Sequence, residues 1–91
     1  MIPKTLKING RKWKVVVEEQ EDRGHCDHDA RVITVADRLD KQDAEETFIH
    51  ELLHALIPEQ ECVWTEKQEE LVVELLAPRL LATLKSMGAW K

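Results

Sequence analysis

Cysteine is scarce in this 91-residue chain, with Cys26 and Cys62 its only two thiols. They do not form a C-x-x-C pair, a four-cysteine zinc site is excluded by count, and two free thiols are expected. Long apolar runs are missing as well. None approaches the roughly 20 residues that a membrane span needs, so no membrane partner is expected. The first ten residues, MIPKTLKING, carry charge without an apolar segment. They do not read as a secretory signal, and the expected location is the cytoplasm. An excess of positive charge is the third absence. The net charge is −5 and the pI about 5.3, which argues against a nucleic-acid partner, because phosphate binding needs a Lys/Arg surface. The one basic stretch, Lys4 to Lys14, reads as the solvated face of a strand pair.

What is present is an ordinary globular balance, 43% hydrophobic and 34% charged, which separates the chain from disordered compositions. No repeat, low-complexity tract or linker divides it, so residues 1–91 are read as one domain. Its core is modest, and a metal or a partner would add usefully to its stability. Nothing in the sequence fixes an oligomeric state.

Thr5-Leu6-Lys7-Ile8 alternates polar and apolar, and Asn9-Gly10 follows as a two-residue hairpin turn leading into the strand Trp13 to Glu18. Glu19 to Asp29 is polar and reads as a loop. Arg31 to Ala36 is a third strand by its β-branching. The fold class expected is α+β, with a short three-stranded, largely antiparallel sheet packed on two or three helices. Asp40 or Asp43 caps the first helix, with Glu45 and Glu46 favouring its positive end. Phe48, Ile49, Leu52, Leu53 and Leu56 recur at helical spacing, and Pro58 stops the helix near Ile57. Thr65 with Gln68 is a capping-box pattern for the next helix. Leu71, Val72, Leu75 and Leu76 read as its apolar stripe, and Pro78 either kinks it or starts another.

The first helix contains His50-Glu51-Leu52-Leu53-His54. Residues i and i+4 share a helix face about one turn apart, so two imidazole nitrogens can reach one ion. Neutral histidines suit Zn2+, and Glu51 is placed to take a proton from a water at the metal. Zinc needs a third protein ligand. Glu74 stands among apolar neighbours in Leu71-Val72-Val73-Glu74-Leu75-Leu76, where an unpaired carboxylate would be costly to bury and a cation would relieve that cost. A residue about two turns into the second helix could also come level with the metal. Glu74 is the preferred ligand and Glu70, one turn earlier, the alternative. Glu66 and Glu69 read as the solvated helix edge. His25, Cys26 and His28 read as parts of a polar loop, although a second metal or a role near the substrate carbonyl is open to the histidines. Trp13, Trp64 and Trp90 read as packing residues. With no tyrosine in the chain, Arg31, His25, His28 or the zinc alone would have to stabilise an oxyanion.

These residues resemble the zincin metallopeptidases, in particular the gluzincins, whose third ligand is a Glu on a helix downstream of H-E-x-x-H. The interval from His54 to Glu74 is similar to theirs. The segment Glu46 to Leu56 looks like that of small metallopeptidases encoded by phages and prophages, and the likeness extends over roughly Ile8 to Leu84. The resemblance implies a minimal zincin-like domain that hydrolyses peptide bonds, with metal at His50, His54 and a Glu, and Glu51 as base. For a phage-encoded chain the compartment would be a bacterial host's cytoplasm. The substrate would be a peptide or protein docked on an exposed strand edge, with Arg31 to Ala36 as the candidate edge. In place of an orienting acid one turn after Glu74 stands Pro78, which leaves Asp43 or another acid to orient a histidine. The alternatives to hydrolysis are a catalytically idle, zinc-stabilised domain and a phage regulatory module that binds a host protein.

Overall fold

The computed structural model describes residues 1–59 and 64–90, so Cys62 lies outside the described residues. Strands β1 (Thr5–Ile8) and β2 (Arg11–Glu18) form the expected hairpin. Asn9 and Gly10 have φ of 51° and 77°, as a type I′ turn requires. A second hairpin joins β3 (Gly24–Asp27) to β4 (Val32–Ala36). In its turn the Ala30 N–H donates to Asp27 Oδ1 at 3.0 Å and Arg31 adopts φ 57°. The free edge of β4 pairs with β2 in parallel, which gives the order β1-β2-β4-β3.

The α+β class holds, but the three-stranded, largely antiparallel sheet is corrected to a mixed sheet of four strands. Gly24-His25-Cys26-Asp27 has neither β-branched residues nor alternation, so only its pairing with β4 makes it a strand. The expected exposed edge is corrected too. β4 is paired on both sides, its residues Ile33 to Ala36 are buried, and the edge strands are β1 and, on the side of β4, β3.

Helix α1 (Lys41–Leu56) starts at Asp40, whose side chain accepts from the Asp43 N–H at 2.8 Å, and ends just before Pro58. Helix α2 (Glu66–Ser86) opens on the Thr65–Gln68 capping box and runs unbroken through Pro78. Among the described residues there are therefore two helices, the smaller of the numbers expected. Arg79 donates to the Leu75 carbonyl at 2.9 Å beside the proline. At the C-terminus the Gly88 N–H reaches Lys85 O and the Ala89 N–H reaches Leu84 O, with Gly88 at φ 74°. That is the Schellman arrangement, and it needs a residue tolerant of positive φ at this place.

α1 lies on β3 and β4, and α2 packs on α1. The core joins Trp13 and Val15 of β2, Ile33 and Val35 of β4, Phe48 and Ile49 of α1, and Ala77 and Leu81 of α2. The buried face of α2 is Val73, Ala77 and Leu81. The expected stripe is rotated away from the core, since Leu71 and Leu75 are more than half exposed. Among the described residues no helix is long and apolar enough to cross a membrane.

Candidate metal centre

α2 runs antiparallel to α1. Its first turns lie beside His50 and His54, and its C-terminal end lies beside Glu45. The helical spacing of His50 and His54 brings their rings to 5.0 Å between centroids, at 63° to each other. Both are partly buried, with His54 the more enclosed. The carboxylate of Glu70 spans the pair, with Oε1 3.0 Å from His50 Nε2 and Oε2 2.9 Å from His54 Nε2. One ligand atom from each of these three residues lies within 4.8 Å of the others.

Their chemistry fits a cation. His54 Nδ1 is 2.5 Å from Glu69 Oε2. If Nδ1–H donates there, the neutral ring keeps a lone pair on Nε2. That lone pair faces the Glu70 carboxylate 2.9 Å away, acceptor against acceptor. A positive charge between them turns the contact favourable. Two imidazole nitrogens and one carboxylate oxygen are a zinc donor set with a fourth position left for water. Ligand atoms around a tetrahedral zinc sit roughly 3.3 Å apart for bonds near 2.0–2.1 Å, so the side chains need to spread only slightly.

The third member of the group is thus Glu70, the alternative, and not the preferred Glu74. Glu74 is one turn further along α2, exposed, and lines the neighbouring cleft. The level is reached a turn early because α2 begins at Glu66 already alongside the last turns of α1. Glu69, expected on the solvated edge, is instead largely buried against His54. Asp43, the candidate orienting acid, sits 3.6 Å from Arg23.

Glu51 points into a cleft of about 480 Å³ that is also lined by Gly24, Thr47, His50, Glu74 and Ala77. Burial pushes its carboxyl above the usual range and Glu70 adds to this, against the pull of His50, His54 and His25. Such a group holds a proton more readily than an exposed glutamate. The approach of β3 to α1 depends on Gly24. A Cβ there would stand 2.6 Å from Thr47 Cγ2 and 3.0 Å from Glu51 Cγ. Gly24→Ala is therefore expected to cost about 1–3 kcal/mol through overpacking. Chemical denaturation measures this loss, and an unchanged midpoint would mean that β3 can simply move away.

The remaining candidates are placed apart from the group. His25 is exposed on β3, and its charge acts on Glu51. His28 stacks edge-on against the buried Trp13 at 5.7 Å. Cys26 is free, and burial together with Glu51 and Glu59 pushes its thiol up to about 12. It stays protonated at neutral pH. Trp90 packs on Phe48, Trp64 is half exposed, and Arg31 sits in the β3–β4 turn. No family model matches the chain, and no curated protein or solved structure is significantly similar to it.

Proposed function

We propose that this chain is a small zinc-dependent peptidase of zincin-like design. The observation that carries the reading is the His50–His54–Glu70 group with the half-buried Glu51 beside it, facing a cleft. His50, His54 and Glu70 would hold the ion. When bound, zinc supplies a Lewis acid that polarises the scissile carbonyl and makes a water acidic near neutral pH. Glu51, half-buried beside the group and facing the cleft, would take the proton of the attacking water and pass it to the leaving amine. The outer edge of β3 runs beside Glu51 at Gly24. An extended peptide can add to this edge through main-chain hydrogen bonds, which would bring a carbonyl over the cleft.

Elemental analysis of untagged protein tests the centre. One equivalent of zinc is expected in the wild type, its loss in His54→Ala and Glu70→Ala, and its retention in Glu74→Ala. A wild type that takes up no zinc when zinc is offered sinks the reading. Loss in Glu74→Ala with retention in Glu70→Ala would reassign the third ligand. The same three residues also bridge α1 to α2, which supports the second reading, a zinc-stapled domain without turnover. Cleavage of a peptide library by the zinc-loaded protein separates the two.

A further inference from the structure

We infer that Glu69 is the positioning residue of the metal centre, holding His54 in the tautomer that presents Nε2 to the ion. This rests on the metal-centre reading above. Glu69 and Glu70 are consecutive in α2, so their side chains leave the helix about 100° apart. They reach the His54 ring from two sides, Glu69 Oε2 at Nδ1 and Glu70 Oε2 at Nε2. The Glu69 side chain is 23% exposed against 46% for Glu70, so its contact is partly shielded from water.

A neutral imidazole carries one proton and can place it on either nitrogen. The carboxylate at Nδ1 selects the proton there and leaves the Nε2 lone pair for the ion. It also raises the basicity of that lone pair and fixes the plane of the ring. His50 differs in this respect. Among the described residues its Nδ1 has no hydrogen-bond or ion-pair partner. Among the described residues His54 thus has a carboxylate at each ring nitrogen and His50 at Nε2 alone, so the proposed ordering runs through the Glu69–His54 pair.

Glu69→Ala and Glu69→Gln, with Glu66→Ala as an exposed control on the same helix, test the assignment. Zinc affinity is read by competition with a chromophoric chelator. Glu69→Ala is expected to bind zinc about 10–100-fold more weakly. Glu69→Gln, whose amide oxygen still accepts from Nδ1–H, should recover most of the loss, and Glu66→Ala should match the wild type. Nitrogen-15 NMR of the zinc-loaded protein should find His54 bound through Nε2 with its proton on Nδ1 in the wild type, and a mixture of Nε2 and Nδ1 coordination in Glu69→Ala. Zinc uptake with equal affinity in wild type and Glu69→Ala would overturn the inference alone. So would zinc on His54 Nδ1 in the wild type. No zinc uptake by the wild type would overturn this inference and the metal centre together.

Discussion

Glu51→Gln is expected to lower peptide cleavage by about a thousandfold, within the range attributed to a positioned acid–base group, while one equivalent of zinc stays bound. Glutamine preserves the volume of the side chain against Gly24 and Thr47 but cannot take up the proton of the attacking water. The proposed ion ligands His50, His54 and Glu70 are untouched. Parallel measurement of zinc content and of turnover on a quenched peptide therefore isolates the proton-transfer step. A variant as fast as the wild type would show that the carboxylate is idle in the reaction, and no turnover by either protein would favour the zinc-stapled domain. Loss of zinc together with activity would mean that Glu51 shapes the centre rather than the chemistry.

The second large effect concerns stability and lies on the same helix, about a turn and a half from His50. Glu45 is 3% exposed. Its Oε2 accepts from Trp90 Nε1–H at 2.6 Å and lies 3.5 Å from the Met1 ammonium, and Lys85 Nζ is 3.1 Å from Oε1. The Lys85 contact is an ion pair without hydrogen-bond alignment, since Oε1 otherwise has no hydrogen-bond partner. Glu45→Ala would strand the partly buried indole N–H and remove the counter-charge of Lys85. It is expected to cost about 3 kcal/mol, and roughly 10–20 °C in melting temperature for a domain of this size. A thermal scan checks it, and a shift of only a degree or two would contradict the role assigned to Glu45.

The pH dependence follows from the same contacts. Burial alone would push the Glu45 carboxyl up, but Trp90, Lys85 and the N-terminal charge outweigh it and hold the group below the usual range. Between its lowered folded value and its ordinary unfolded value, the unfolded chain binds more protons, so stability rises with pH there. The contribution is complete above the ordinary carboxylate range and is lost as pH falls through the lowered folded value. Glu45→Gln should therefore be less stable than the wild type at pH 7, with the two converging in acid.

The grouping of side chains on one helix face was more legible in the sequence than the packing around it. His50, Glu51 and His54 follow from helical geometry alone, because the i, i+4 spacing dictates a shared face whatever surrounds it. Asn9-Gly10, Asp40 and Thr65–Gln68 were legible for the same reason, each being a local device whose partner lies within a few residues. The choice between Glu70 and Glu74 was not local. Which of the two stands beside the histidines depends on where α2 begins relative to the end of α1, and hydrophobic neighbours do not report it because Leu71 and Leu75 face outward. β3 was hidden because its conformation comes from β4 rather than from its own residues. Glu45 looked like one more acid near the start of a helix, and its burial is created by Lys85 and Trp90, some 40 residues away. Glu69 left one signal that could have been used. An imidazole ligand needs a partner for its second nitrogen, and a glutamate adjacent to a ligand glutamate is well placed to supply it.

The strand order has a kinetic corollary. The sheet consists of two short-range hairpins joined along one parallel seam, and every residue pair across that seam, from Lys14 with Val32 to Glu18 with Ala36, is 18 positions apart. Each hairpin can close on its own, but the seam carries a larger loop-closure entropy. α1 rests on the second hairpin and α2 rests on α1. The elements that carry His50, His54 and Glu70, with the strands beneath them, therefore all follow the first hairpin in the chain, and that hairpin completes the core through Trp13 and Val15.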